Sequence, residues 1–120
     1  MRAAVWKHIL CPVDFSDTAG IGLRYAAALA RCSQSRLTVL YADRFEPPVY
    51  FTRSQVEHFM EQCRECKAQA ERRLHEFVQT EFGPDSPEIE SRVVEGYPAE
   101  TIVRISRELN AGLIVMGTHG

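Results

Sequence analysis

The chain has 120 residues, the size of one domain with a hydrophobic core of its own. Its apolar content of 45% and charged content of 25% are those of a globular protein, and its net charge of −2 gives no electrostatic reason to expect nucleic acid or a membrane as a partner. No apolar run is long enough to span a membrane. The apolar start is too short for a signal peptide and is interrupted at Lys7 and His8. We therefore expect a cytoplasmic protein.

The first part of the chain predicts a strand, a helix and a second strand. Residues 8–13 form a continuous apolar run, which is typical of a strand covered on both faces. Residues 14–34 predict a helix that begins near Asp and Ser N-cap candidates. Its apolar face comprises Leu23, Ala26, Ala27 and Ala30. Residues 36–42 are rich in β-forming residues and predict a second buried strand.

The second part repeats this alternation. Pro47 and Pro48 lie in an irregular aromatic stretch, and a long amphipathic helix is predicted from Thr52 to about Phe82. Residues 88–96 predict a third strand, and a helix follows with Pro98 in its first turn and a C-cap at Ala111-Gly112. Residues 113–117 predict a fourth strand. The chain contains no repeat or linker, which indicates a single domain over residues 1–120.

The cysteines predict packing and not metal or redox chemistry. Cys11 and Cys32 lie in apolar stretches and are expected to pack as small hydrophobes. Cys63 and Cys66 fall in the long helix without a partner pair or a helix N-terminus nearby. We expect one of these two thiols to point inward and the other to lie at the flank of the helix.

Alternating strands and helices in one domain predict a parallel sheet with helices on both faces, an α/β doubly wound fold in three layers. Ligands bind such sheets at the carboxyl ends of the strands, where the winding direction reverses. The candidate positions at that edge are therefore Asp14, Ala42, Gly96 and the turn from Gly117 to Gly120.

Two of these candidates suggest a chemistry. The glycines of Gly117-Thr118-His119-Gly120 allow a ligand to approach the main chain, whose N–H groups can bind a phosphate; the alternative is an ordinary turn between a strand and a helix. The Asp14 carboxylate can accept hydrogen bonds from ribose hydroxyls or an adenine amino group. Capping the first helix is an alternative role for Asp14, and the two roles are compatible.

Four segments in order, residues 8–30, 37–42, 93–106 and 113–120, resemble the universal stress protein family. The resemblance covers nearly the whole chain and implies five parallel strands in the order 3-2-1-4-5. The present chain supplies the order 3-2-1-4, and the usual fifth strand is expected to be absent. The resemblance also implies a set of nucleotide-binding positions, which are Pro12, Val13, Asp14, Ala42, Met116, Gly117, Thr118, His119 and Gly120.

In ATP-binding members of the family, the segment that matches residues 12–14 contacts the adenosine. The position of Ala42 offers backbone hydrogen bonds to adenine, and that of Met116 packs beside it. The glycine loop binds the phosphates, and His119 occupies a loop position near them, although at the tip of a loop it can equally be plain solvent-exposed.

The family motif continues after Gly120 with nine residues and a second glycine followed by Ser or Thr, so we expect a domain that is incomplete at its C-terminus. Relatives commonly dimerise through the last strand. We therefore expect a homo-oligomer that lacks the usual fifth-strand contact.

The function implied by the resemblance is a regulatory switch in the stress response that binds ATP or another adenine nucleotide, with Mg²⁺ or Mn²⁺ accompanying it. Because no nucleophile–base pair is visible, ATP hydrolysis is expected to be slow at most. The alternative is a protein-interaction or oligomerisation module of the same fold that binds no nucleotide. Three features favour that alternative: half of the phosphate motif is missing, the edge of the fourth strand is exposed, and residues 46–51 form an aromatic surface candidate.

Overall fold

The computed structural model describes residues 6–44, 47–82 and 89–117. In chain order the elements are β1 (His8–Pro12), α1 (Asp17–Ser33), β2 (Arg36–Asp43), α2 (Arg53–Phe82), β3 (Ile89–Glu95), α3 (Pro98–Glu108) and β4 (Leu113–Ile114). The strands form one sheet in the order β3-β2-β1-β4, and every pair is parallel. This confirms the predicted doubly wound fold and the strand order, with the reversal of winding between β1 and β4.

The two faces of the sheet are covered by different helices, which makes three layers. Successive side chains of a strand point to opposite faces. Ile9 and Val39 therefore pack with α1 and α2 in the larger core, whereas Leu10 and Leu40 pack against Ile105 of α3. The α1 face that was predicted to be apolar is confirmed, and its buried members include Leu23, Ala26, Ala27 and Ala30.

β4 is shorter than predicted, and the turn that precedes it differs. The strand ends at Ile114 instead of Gly117, although the Val115 N–H still donates to the Leu10 carbonyl at 2.9 Å. Helix α3 ends at Glu108, and Asn110 takes the left-handed conformation with φ 52°. Asn tolerates this conformation through local hydrogen bonding, so the predicted cap at Ala111-Gly112 was placed too late.

Helix α2 extends beyond the sheet. Its 30 residues span about 45 Å, and the molecule measures 61 × 29 × 24 Å. Cys63 is close enough to Glu95, the last residue of β3, for that charge to affect its pKa. The ten residues before it, 53–62, include no buried side chain. We call this segment the α2 overhang; it projects past the carboxyl edge of the sheet.

The cysteine predictions are mostly confirmed. Cys11 is fully buried, Cys63 is buried and Cys66 is exposed, as expected for an inward and a flanking thiol. The prediction for Cys32 was wrong, because this residue is exposed on the solvent side of α1. Its position falls outside the helical stripe that packs on the sheet.

Candidate functional site

A cavity of about 300 Å³ opens at the carboxyl edge of the sheet, beside the reversal between β1 and β4. It brings together six of the positions predicted from the sequence, which are Pro12, Val13, Asp14, Ala42, Met116 and Gly117. The other three predicted positions, Thr118, His119 and Gly120, lie outside the described residues. Gly96 also ends a strand at this edge but does not line the cavity.

The cavity has an apolar floor and one wall that the sequence did not reveal. Leu40 is fully buried beneath it, and Pro98 and Ile102 from the first turns of α3 form the additional wall. The position of Pro98 in the sequence indicated only the start of a helix. A signal was nevertheless available, since α3 follows β3 and must begin at the same edge of the sheet.

Asp14 contributes a charged group at the mouth of the cavity. Its Oδ1 accepts hydrogen bonds from the Ser16 hydroxyl at 2.5 Å and the Ser16 N–H at 3.1 Å. Chiefly through the hydroxyl bond, Ser16 holds the pKa of this exposed carboxyl below its ordinary value. Because both bonds end on Oδ1, Oδ2 can accept a hydrogen bond from a ligand.

Helix α1 is capped by Ser16 and not by Asp14. The Ser16 hydroxyl oxygen accepts a hydrogen bond from the Ala19 N–H at 3.1 Å, which satisfies one of the unpaired donors at the start of the helix. The alternative role of Asp14 as the cap was therefore wrong. The Asp14 carboxylate lies outside the helix and accepts hydrogen bonds from the capping residue, Ser16.

The backbone of Ala42 faces the cavity side of β2. Leu40 accepts from the Val13 N–H on the β1 side at 2.9 Å, while Asp43 accepts from the Gly96 N–H on the β3 side at 2.9 Å. Backbone groups alternate in direction along a strand. The N–H and C=O of Ala42 therefore point to the β1 side, beyond the Pro12–Leu40 pair at which the β1–β2 register ends.

Close packing brings the end of β4 against α1. A β-carbon on Gly22 of α1 would lie 3.3 Å from the Gly117 nitrogen and 3.5 Å from the Met116 carbonyl carbon. The 3.3 Å distance is tighter than nine in ten contacts of real β-carbons, whereas 3.5 Å is an ordinary van der Waals contact. The sequence indicated Gly117 as a ligand-binding position, but it did not show that Gly117 also packs against the helix.

Phe15, between Asp14 and Ser16, has a left-handed backbone with φ 67°. A bulky residue in this region is an outlier that costs about 1–3 kcal/mol relative to an unstrained conformation. Such strain persists only where the surrounding structure compensates for it. This residue was missed in the sequence, because an Asp-Phe-Ser tripeptide carries no glycine to indicate a positive φ.

Within 6–44, 47–82 and 89–117, no group of three or more His, Cys, Asp or Glu side chains could hold a metal ion. None of the helices in those ranges is long and apolar enough to cross a membrane.

Comparison with known proteins agrees with the fold. The model of the universal stress protein family matches residues 6–120. Universal stress protein MJ0577 of Methanocaldococcus jannaschii is 26% identical, over 98% of this chain and 80% of its own length. A solved structure of MJ0577 has a TM-score of 0.74 and is 27% identical, covering 95% of this chain and 76% of that one.

Other solved structures extend the likeness. UspA from Lactobacillus plantarum has a TM-score of 0.73 at 27% identity, covering 95% of this chain and 80% of its own. A universal stress protein solved in complex with cAMP is 19% identical, with a TM-score of 0.61 over 92% of this chain and 75% of that one. The family match spans nearly the whole chain, and the present protein belongs to the universal stress protein family.

Proposed function

We propose that the chain binds ATP or another adenine nucleotide in the cavity at the carboxyl edge of the sheet and acts as a regulatory switch in the stress response. The observation that carries this proposal is the meeting of six predicted positions around one cavity of about 300 Å³. The cavity lies where the winding reverses, which is the usual ligand site of open α/β sheets.

The lining provides partners for each part of an adenosine. An adenine ring can pack between the apolar Leu40, Ile102 and Met116 side chains. The N–H and C=O of Ala42 are placed to pair with the polar edge of the ring, and Oδ2 of Asp14 can accept from a ribose hydroxyl. The cAMP complex of a relative supports an adenine nucleotide as the ligand class.

The phosphates would extend past Gly117, at the glycine end of the cavity lining. A divalent cation would be held mainly by the phosphate oxygens, because Mg²⁺ typically combines substrate phosphates and water with one or two carboxylates. Asp14 is the carboxylate at the cavity mouth. Among the described residues that line the cavity, no base lies opposite it, so we expect any ATP hydrolysis to be slow.

Calorimetric titration of ATP tests this function, with Asp14→Ala as the variant and Asp17→Ala as the matched control. Asp17 is an exposed acidic residue three positions further on, in the first turn of α1, and it does not line the cavity. Loss of a hydrogen bond to a charged group should weaken ATP binding by about tenfold or more in Asp14→Ala. Asp17→Ala should bind like the parent chain. Failure of the parent chain to bind ATP, ADP or cAMP would exclude this function.

A second candidate function is an oligomerisation module, and the exposed apolar residues at and after β4 favour it. Ile114, the last residue of β4, is 39% exposed, and Met116, two residues beyond it, is 50% exposed. Exposed apolar residues beside an unpaired strand edge favour association with another chain. Sedimentation velocity compares the self-association of the parent chain with that of Ile114→Lys. If the parent chain self-associates but does not bind ATP, only this second function remains.

A further inference from the structure

Phe15 joins two parts of the molecule that are distant in sequence. Its backbone belongs to the turn between β1 and α1, next to Asp14 at the cavity mouth. Its ring lies 4.6 Å from the Tyr41 ring of β2 and 5.7 Å from the Phe77 ring of α2, measured between centroids. The strained turn is thus attached through its side chain to a strand and to the long helix.

Arg73 completes the contact from α2. Its guanidinium carbon lies 4.3 Å from the centroid of the Phe15 ring, within the range of a cation–π interaction. The three contacts restrain the ring on several sides. Because strain of this kind needs compensation from the surroundings, these contacts account for the left-handed backbone of Phe15.

The turn determines where the neighbouring carboxylate lies. Ser16 donates two hydrogen bonds back to Asp14, and Phe15, the residue between them, has the left-handed backbone. If Phe15 left the left-handed region, the Ser16 N–H and hydroxyl would turn to a different direction relative to Asp14, and the two bonds would weaken. The Asp14 carboxylate would then lose the restraint that holds it at the cavity mouth.

We propose that Phe15 is a positioning residue of the nucleotide site: its ring, held by Arg73 and Phe77 of α2, maintains the turn that presents the Asp14 carboxylate to the ligand. This inference rests on the function proposed above and deepens it by naming α2 as the element that controls the site. Binding and the docking of α2 are then reciprocally linked, so that a partner that displaces α2 weakens nucleotide binding.

Substitution by glycine and by alanine separates positioning from ordinary core packing. At most positions alanine is tolerated better than glycine, because glycine loses more conformational freedom. At a positive φ the order reverses, since alanine is strained there and glycine is not. If Phe15 positions Asp14 through its backbone, Phe15→Gly should bind nucleotide more tightly than Phe15→Ala.

The experiment measures the ATP dissociation constant and the pH titration of the Asp14 carboxyl by carbon-detected NMR without nucleotide. We expect ATP binding to be roughly fivefold weaker in Phe15→Ala than in Phe15→Gly, with the parent chain tightest. We also expect the titration midpoint of Asp14 to rise toward its ordinary value in Phe15→Ala and to stay low in Phe15→Gly. Equal behaviour of the two variants in both measurements would overturn the proposal.

Arg73→Met provides an independent test at the surface, with Arg72→Met as its matched control. Arg72 is an exposed neighbour of Arg73, and methionine keeps the aliphatic stem while removing the charge. Arg73→Met should weaken ATP binding by about two- to fivefold, and Arg72→Met should not change it. This pair decides the question if Phe15→Ala fails to fold, and equal dissociation constants for the pair would then overturn the proposal.

The two proposals fail in distinguishable ways. If the parent chain binds no nucleotide, the proposed function is wrong, while the Asp14 titrations still test the turn. A raised midpoint in Phe15→Ala but not in Phe15→Gly would support the positioning of the carboxylate. An unchanged midpoint in Phe15→Ala would overturn it, whatever the ligand of the cavity is.

Discussion

Gly117, just beyond β4, packs directly on Thr18 in the first turn of α1: a β-carbon on the glycine would lie 2.7 Å from Thr18 Cγ2 and 3.1 Å from the Thr18 carbonyl oxygen. This contact joins the last described residue of the cavity wall to the helix that follows Asp14. It also makes the glycine necessary for packing, independently of any ligand.

Gly117→Ala should therefore lower the free energy of unfolding by about 1–3 kcal/mol, as other overpacked sites do. Urea unfolding followed by circular dichroism measures the change. Thr18→Ser removes Cγ2, so the double variant should recover part of the loss, while the backbone contact with the Thr18 carbonyl remains. Thr18→Ser alone serves as the control. An unfolding free energy equal to that of the parent chain would contradict the close contact.

Ser16→Ala should destabilise the protein by about 1 kcal/mol, because it removes the cap of α1. The Ser16 hydroxyl also donates to Asp14 at the mouth of the cavity. Thr52→Ala is the matched variant, since Thr52 accepts from the Gln55 N–H at 3.3 Å at the start of the α2 overhang.

The overhang contacts little, so loss of its cap should fray the first turn of α2 with a smaller effect on global unfolding. Thermal unfolding and amide exchange of both variants separate the two outcomes. Equal losses of global stability would show that the overhang unfolds together with the rest of the domain.

The cysteines should react with a thiol reagent in two classes. Burial raises the pKa of the Cys11 thiol to about 12. Cys63 is also buried, and burial is the largest cause of its raised pKa. The exposed Cys32 and Cys66 should be alkylated by iodoacetamide at pH 8 in the native protein. Peptide mass spectrometry should find the other two modified only after denaturation. Native labelling of Cys11 at the rate of Cys32 would show that β1 is not buried.

His8 should make stability depend on pH near neutrality. Its ring Nε2 lies 2.7 Å from Thr38 Oγ1. Burial, and then the charge of Arg36, lower its pKa below the ordinary 6.5, with an opposing effect of Glu90 and a smaller lowering by Arg92. The unfolded chain therefore binds a proton more readily, and the contribution of His8 to stability is present above pH 6.5 and is lost as pH falls below it.

His8→Gln removes this titration and keeps a group that can hydrogen-bond. Between pH 7.5 and 5.5 the parent chain should lose more stability than the variant in urea unfolding. Asp14 and Glu90 do not interfere, because their pKa values lie below the ordinary 3.8 and 4.5. A variant with the same pH dependence as the parent chain would remove His8 from this role.

Most of the fold was predictable from the sequence, because the signals were local. The apolar run that contains Ile9 and Leu10 and the periodic alanines of α1 each report which faces are buried, and both predictions are confirmed. The strand order followed from the family resemblance and is also confirmed. Two predictions were wrong. The exposure of Cys32 depends on its angle around α1, and the end of α3 depends on Asn110, a left-handed residue other than glycine.

The site was predictable where it depends on strand ends and hidden where it depends on tertiary contacts. Asp14 and Ala42 line the cavity because their strands stop at its edge. The wall made by Ile102 and the strained turn at Phe15 arise from packing between elements far apart in the chain. A pattern read along one segment does not contain such contacts.

The α2 overhang bears on how sequences of this fold can vary in length. Since residues 53–62 bury no side chain, a relative could shorten or lengthen this part of the helix without disturbing the sheet. Removal of two whole turns, about seven residues, would keep Cys63 and Leu74 on the face that packs on the domain. Evolution can therefore change the length of this helix while the cavity at the carboxyl edge of the sheet keeps its shape.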